Sequence, residues 1–151
     1  MAAKIIFITL SVANKLRVVC DLIEKEYLDG KQIIVNVADE EEGNSLDRML
    51  WTWKQSSFIP HRFVQDLTSP VDETIIITNN LNNDLKFDTL ILISPTDLEK
   101  ISWFDTIIDF AEKYNPSKLE SDRNRYKEYR DNKLALETYN PGEYLNKESE
   151  K

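Results

Sequence analysis

The sequence predicts a three-layer α/β/α fold with a mixed sheet of about five strands, mostly parallel, and two observations at its N-terminus carry this prediction. Two short β-branched runs, residues 4–10 (KIIFITL) and 32–38 (QIIVNVA), indicate strands. Between them, apolar residues recur at helical spacing, at Val12, Leu16, Val19, Cys20, Ile23 and Tyr27. A crossover of about twenty residues is long enough to return the second strand parallel to the first. A parallel, helix-covered sheet therefore begins here.

The ends of the first helix and the position of the next elements follow from local signals. Ser11 is placed to cap the helix N-terminus, and Gly30 is placed to end the helix. Apolar residues spaced over two turns predict a second helix; they are Leu46, Met49, Leu50 and Trp53. Residues 57–64 (SFIPHRFV) then indicate a loop and a short strand. Pro60, which has no backbone N–H, favours an edge position for this strand.

Two further buried strands are predicted at residues 73–78 (ETIIIT) and 89–94 (TLILIS). The connection between them, residues 79–88, is too short and too polar for a helical crossover. We therefore expect at least one antiparallel strand, which would make the sheet mixed.

The second half of the chain is predicted to contain two more helices. Apolar spacing indicates a third helix from Trp103 to Tyr114. Ser117 and Glu120 form a capping-box pattern for a fourth helix, which ends near Asn132.

Length and composition predict one domain over residues 1–139. A chain of 151 residues with 41% hydrophobic residues can build one well-formed core. Residues 140–151 are polar and interrupted by Pro141 and Gly142, so they are predicted to form a flexible tail without assigned structure.

The charge balance and the apolar runs exclude several classes of protein. The formal net charge of −8 argues against broad affinity for a nucleic-acid backbone. The run at residues 4–10 is too short for a signal peptide, and no run approaches the roughly eighteen apolar residues of a membrane span. Cys20 is the only cysteine, so no internal disulfide can form. We expect a cytoplasmic protein without membrane contact.

The sequence carries no pattern for a cofactor, a metal or a catalytic residue. None of the three glycines lies between the first strand and its helix, where a nucleotide-binding loop would need one. One histidine and one cysteine cannot build a usual structural zinc site. The acidic run from Asp39 to Glu42 is explained by the helix dipole. A small α/β enzyme acting on a nucleotide or phosphoester through Asp39 and Glu42 remains the alternative.

An unusual concentration of aromatic residues lies in residues 46–61 (LDRMLWTWKQSSFIPH). On a helix, Trp51 lies about 150° from the apolar stripe, whereas Trp53 lies on it. Trp51 is therefore either covered by a loop or exposed to a partner, with Phe58 and Pro60 in a rigid turn beside it. His61 is interpreted as a structural histidine. An open alternative is a module that only dimerises through Trp51 and Phe58.

A second constellation, residues 123–130 (RNRYKEYR), lies in the last predicted helix. Spacings of four, three and four residues place one set on a common face: Leu119, Arg123, Tyr126 and Arg130. Lys127 lies beside this face. Guanidinium groups around a tyrosine ring can bind a carboxylate that has an aromatic or apolar neighbour. An ordinary solvated helix with salt bridges is the alternative.

The two stretches, in this order, resemble the chi subunit of the bacterial DNA polymerase III holoenzyme. The family pattern is L-D-x-x-L-W, then S-F-[IV]-P-H, then R-x-R-Y-K-x-Y-R near the C-terminus. The matching residues are Leu46, Asp47, Leu50, Trp51, Ser57, Phe58, Pro60, His61, Arg123, Arg125, Tyr126, Lys127, Tyr129 and Arg130. Family members commonly carry a glycine and an aromatic residue soon after the last helix, whereas residues 131–139 here are DNKLALETY.

The resemblance implies a non-catalytic accessory subunit with a Rossmann-like layout, no nucleotide site and no cofactor. Chi proteins bind the acidic, phenylalanine-ended C-terminal tail of the single-stranded-DNA-binding protein, and in many species the psi subunit of the clamp loader. By this resemblance Arg123 and Tyr126 bind the tail, with electrostatic support from Lys127 and Arg130. Another surface, with Trp51, Phe58 and Pro60, faces psi. A repair helicase is a further candidate partner, and DNA is contacted only indirectly.

Overall fold

A computed structural model describes residues 4–54, 59–65, 74–81 and 87–147. Along the chain the elements are β1 (Lys4–Leu10), α1 (Lys15–Leu28), β2 (Ile33–Asn36), α2 (Glu40–Thr52), β3 (Arg62–Phe63), β4 (Ile75–Thr78), β5 (Thr89–Leu92), α3 (Leu98–Ile101), β6 (Thr106–Glu112), α4 (Pro116–Asp131), β7 (Ala135–Tyr139) and α5 (Pro141–Leu145). Among these described helices, none is long and apolar enough to cross a membrane.

The strands form one seven-stranded sheet in the order β3-β4-β2-β5-β6-β1-β7. Each strand pair in this sheet is parallel. The predictions of about five strands and of an antiparallel strand are therefore wrong. The short connection does not require an antiparallel strand, because β4 and β5 are not neighbours; each pairs in parallel with β2, one on either side. The edge position predicted for the strand after Pro60 is confirmed, since β3 ends the sheet.

Helices cover both faces of the sheet, which confirms the three-layer α/β/α prediction. On one face β1 side chains such as Ile6 and Ile8 pack with Val19 of α1, Leu50 of α2 and Tyr144 of α5. On the other face, Ile5 and Phe7 of β1 belong to a second core with Ile101 of α3 and Tyr129 of α4. The alternation of β1 side chains between two cores explains why this strand is a nearly continuous apolar run.

The predicted helix from Trp103 to Tyr114 is wrong, because most of this segment is strand β6. Residues Thr106–Glu112 pair with β1 on one side and with β5 on the other. Ile107, Ile108 and Phe110 are completely buried. A buried parallel strand contributes apolar side chains to both faces, so its sequence has no period that separates it from a buried helix.

Two of the predicted N-terminal capping residues are wrong, and the predicted C-terminal glycine of the first helix is confirmed. α1 follows Asn14 and not Ser11, and no side chain caps it. In α4 the capping side chain is that of Asn115, which accepts a hydrogen bond from the Lys118 N–H, so Ser117 is not the cap. Gly30 ends α1 as predicted, at φ +80°, a left-handed conformation that glycine adopts without strain.

The polar segment after Tyr139 has structure, in contrast to the flexible tail that the sequence predicts. Residues Pro141–Leu145 form α5, which Asn140 and Glu143 begin with a reciprocal capping box. The Tyr144 side chain is buried against α1, where its hydroxyl donates a hydrogen bond of 2.6 Å to Glu26. Residues 148–151 lie outside the described part of the chain.

Candidate functional site

A hollow of about 420 Å³ lies between α4 and the three strands at one side of the sheet. Its walls come from β1, β7, α4 and the end of β6. The lining residues are Phe7, Thr9, Ala111, Lys113, Leu119, Asp122, Arg123, Tyr126 and Thr138. This hollow, called the α4 hollow below, contains three of the residues that the sequence placed on one helical face: Leu119, Arg123 and Tyr126.

The floor of the α4 hollow is aromatic and partly accessible. The Tyr126 ring is 37% exposed and meets the buried Phe7 ring edge to face, with 5.6 Å between the ring centroids. Leu119 adds an aliphatic side chain one and two turns before Arg123 and Tyr126 on α4. An apolar group that enters here would be covered on several sides, while solvent reaches the Tyr126 ring.

The charged groups of the α4 hollow leave it positive, although the chain as a whole is acidic. Arg123 and Lys113 both line it, and neither forms an ion pair with a carboxylate of the described residues. Asp122, the one lining carboxylate, is 4% exposed and already bonded. Its Oδ2 accepts from the Glu112 N–H at 2.8 Å and its Oδ1 from the Arg125 guanidinium at 2.8 Å. The two cations therefore remain available to an anionic ligand.

The arginine and tyrosine residues of 123–130 divide between the surface and the interior. Arg125 points inward and donates two hydrogen bonds of 3.0 Å to Asp109, whose side chain is 1% exposed. Tyr129 is buried and donates to the same carboxylate at 2.8 Å. Burial opposes the Arg125 charge, but the hydrogen bonds and charges of Asp109 and Asp122 outweigh it and raise the guanidinium pKa. Arg125 stays charged inside the protein.

Lys127 and Arg130 do not line the α4 hollow. Both side chains are exposed, and Arg130 lies 3.6 Å from Asp131 at the end of α4. Sequence spacing placed Arg130 on the same face as Arg123, but two turns of helix separate it from that residue. The electrostatic support predicted for Lys127 and Arg130 would therefore act from outside the α4 hollow.

Sequence reasoning missed the residues that the strands contribute, namely Phe7, Thr9, Ala111, Lys113 and Thr138. Ala111 and Lys113 belong to the segment mistaken for a helix, and Thr138 lies on β7, which was not predicted. A recognised strand at Thr106–Glu112 would have placed Lys113 beside the start of α4.

The second predicted surface contains Trp51, whose side chain is 53% exposed at the end of α2. Its ring lies against the buried His61 ring in a tilted arrangement, with 4.8 Å between the ring centroids and 51° between the ring planes. The Nδ1 atom of His61 lies 2.7 Å from Ile59 O, whereas its buried Nε2 lies 3.1 Å from Asp47 Oδ1 and forms no hydrogen bond among the described residues. Pro60 is half-buried, and Phe58 lies outside the described residues. Trp51 is thus an exposed ring beside a buried histidine ring.

Trp53 differs from Trp51 in the way that helical spacing predicts. It packs against the core and donates from its indole N–H to Asp21 at 2.9 Å.

A crevice of about 550 Å³ lies at the carboxyl ends of the strands, where this fold often binds nucleotides, and several of its lining side chains form hydrogen bonds within the protein. Asp39 caps α2 by accepting from the Glu42 N–H at 2.9 Å. Glu42 accepts from the Ala38 N–H and from the Ser94 hydroxyl. The two carboxylates of the enzyme alternative are therefore engaged in holding the start of α2. Within the described ranges, no three His, Cys, Asp or Glu side chains group as metal ligands.

Comparison with known proteins relates the chain to one family. The model of the family described as DNA polymerase III chi subunit, HolC, matches residues 2–137. The chain is 25% identical over 114 residues to DNA polymerase III subunit chi of Escherichia coli (strain K12), covering 76% of this chain and 77% of that protein. It is 27% identical over 128 residues to the Haemophilus influenzae chi subunit, covering 83% and 86%.

Two further matches are partial or distant. A probable chi subunit of Rickettsia prowazekii is 35% identical over 86 residues, and the match spans 57% of this chain and 52%, about half, of that protein. Among solved structures, a variant C-terminal domain of S. cerevisiae Dbp5 superposes with a TM-score of 0.57, covering 96% of this chain and 95% of that domain. At 13% identity this second likeness concerns the fold alone.

Proposed function

Because the chain belongs to the family of the DNA polymerase III chi subunit, an accessory subunit of the bacterial replicase, we propose that it links the clamp loader to single-stranded-DNA-binding protein. In this proposal the α4 hollow binds the acidic, phenylalanine-ended C-terminal tail of that protein, and the surface around Trp51 binds psi. The subunit performs no catalysis, uses no cofactor and works in the bacterial cytoplasm during DNA replication.

One observation supports the tail assignment. The exposed ring of Tyr126 lies in the same hollow as two cations that have no carboxylate partner among the described residues. Arg123 offers a planar fork that can bind a carboxylate through two hydrogen bonds. Tyr126, Leu119 and the ring of Phe7 offer apolar surface beside it. A C-terminal phenylalanine presents a carboxylate and a ring on one residue, so it fits both halves of the α4 hollow.

Avidity explains how such a contact supports replication without direct binding to DNA. Coated single-stranded DNA displays many tails, and a clamp loader that carries this subunit gains local concentration from them. The net charge of −8 suppresses binding to the DNA backbone itself. The tail contact is electrostatic and exposed, so salt should weaken it.

Removing Arg123 should weaken tail binding at least tenfold, since the terminal carboxylate would lose its bidentate partner. A labelled peptide that copies the last ten or so residues of the host's single-stranded-DNA-binding protein can be titrated into wild-type protein and Arg123→Ala by fluorescence anisotropy, at low and high salt. The same peptide without its terminal phenylalanine should not bind.

Arg17→Ala is the matched control, because Arg17 is exposed on α1 at the other face of the sheet. It removes the same charge and should leave the affinity unchanged. A folded wild-type protein that fails to bind the intact peptide would refute the tail assignment, and equal losses for Arg123→Ala and Arg17→Ala would refute the site.

Trp51→Ala should weaken binding to psi by tenfold or more and leave tail binding unchanged, because Trp51 and the α4 hollow lie on separate surfaces. Pull-down or calorimetry with the host's psi subunit, followed by the peptide titration, measures both effects. Leu28→Ala removes another large exposed apolar side chain, 75% exposed, and serves as the control. A parallel loss of both partners would show that the two surfaces are not independent. A repair helicase can be assayed on the same variants.

A further inference from the structure

We propose that Lys113 is a second binding residue of the α4 hollow and that it contacts an acidic side chain about three residues before the terminal phenylalanine of the bound tail. This inference rests on the proposed function, since it concerns the same ligand. Lys113 lies outside both sequence motifs, and the ligand position that it would recognise is the acidic residue about three positions before the terminal phenylalanine.

The backbone fixes Lys113 at the mouth of the α4 hollow. It is the first residue after β6, and its N–H donates to Leu10 O at 2.8 Å, which extends the pairing with β1 by one step. Its side chain is exposed and lines the α4 hollow together with Arg123. Lys113 is therefore an exposed cation at a hydrogen-bonded strand end, and its side chain lines the α4 hollow.

The arrangement of β6 and α4 sets the spacing between the two cations. The chain turns back after Lys113, and α4 begins at Pro116, so the helix runs opposite to the strand it follows. Arg123 lies seven residues after Pro116, which corresponds to about 10 Å along the helix axis. An extended peptide spans about 3.3 Å per residue. When the terminal carboxylate of an extended peptide binds Arg123, the peptide side chain about three residues before the C-terminus therefore lies at the level of Lys113.

The surrounding charges make Lys113 the cation best placed for this contact. Lys118, which also follows β6, lies 3.7 Å from Glu112 in the crevice at the carboxyl ends of the strands. Lys127 and Arg130 lie outside the α4 hollow. Because the chain carries a net charge of −8, an acidic peptide needs local positive charge to approach, and Arg123 alone would face the peptide's last residue only.

Two synthetic ten-residue peptides test the proposal. Both end in phenylalanine and carry one aspartate, either three or six residues before it, in an otherwise neutral sequence. Wild-type protein should bind the first peptide about threefold more tightly at low salt, the size expected of an exposed charge pair. Lys113→Gln should bind both peptides equally, whereas Arg17→Gln, which also removes one exposed charge, should keep the preference. Thermal melts check that each variant is folded.

The outcomes separate this inference from the proposed function. If Arg123→Ala abolishes binding while wild-type and Lys113→Gln show the same preference, Lys113 has no role and the tail site stands. A preference of wild-type protein for the distant aspartate would overturn the register. If wild-type protein binds neither peptide nor the natural tail, the proposed function fails, and this inference fails with it.

Discussion

Arg125→Ala is expected to lower the free energy of unfolding by about 3 kcal/mol, although Arg125 lies in the same motif as the binding residue Arg123. The variant leaves the Asp109 and Asp122 carboxylates, which are 1% and 4% exposed, without their cation. A buried charge that loses its partner costs more than the pair contributed. For a chain of this size the melting temperature should fall by about 6–12 °C, which calorimetry or circular dichroism can measure.

Arg123→Ala provides the matched comparison, because it removes the same side chain two residues earlier on α4. Its stability should change by less than about 0.5 kcal/mol, since Arg123 is exposed and bonds no carboxylate in the described part of the protein. Arg125→Ala should thus lower the stability, whereas Arg123→Ala should weaken tail binding. Equal melting temperatures for Arg125→Ala and wild-type protein would show that the buried network does not form.

This network has a functional consequence, because it fixes the rotation of α4. Asp122 and Tyr129 are the buried residues of this otherwise polar helix. Arg125 and Tyr129, four residues apart, both bind Asp109 on the neighbouring strand β6. With that face attached to the sheet, Arg123 and Tyr126 are directed to the α4 hollow. The motif therefore combines residues for binding with residues that orient the helix.

The sequence alone predicts those features of the site that depend on residue spacing within one helix. Helical spacing alone placed Trp53 against the core and Trp51 outside it, and the structure confirms both positions. It also brought Arg123 and Tyr126 to one face of α4. In each case the spacing of residues within a single helix decides which side chains are neighbours, so no tertiary information is needed.

The sequence was insufficient where the site depends on tertiary pairing. β6 is buried between two strands, so its apolar residues occupy both faces and mimic a helical run. β7 is a short edge strand whose pairing with β1 depends on contacts across more than a hundred residues. Lys113, which directly follows β6, and Thr138 of β7 both line the α4 hollow. The inward direction of Arg125 likewise depends on Asp109, whose position on a strand was not predicted.

Tyr144→Ala is expected to destabilise the fold by about 3 kcal/mol, even though Tyr144 lies in the segment that the sequence predicts to be a tail. The Tyr144 ring is 6% exposed and packs on α1, where Lys25 Nζ lies 5.5 Å from the ring centroid. Burial, with the nearby Glu26 charge, raises the pKa of the Tyr144 hydroxyl, which therefore remains a donor to Glu26 at neutral pH. The variant leaves a cavity and a carboxylate, 5% exposed, without this donor. Urea denaturation measures the loss.

Tyr144→Phe divides this effect into its two physical parts. The ring stays and the hydrogen bond is lost, so the expected cost is about 1–2 kcal/mol, between wild-type protein and Tyr144→Ala. Tail binding by the folded fraction should be unchanged in both variants, because α5 packs on the face of the sheet opposite to α4. If Tyr144→Ala and wild-type protein unfold at the same urea concentration, α5 does not pack on α1 in solution, and the chain after β7 behaves as the flexible tail that its polar composition predicts.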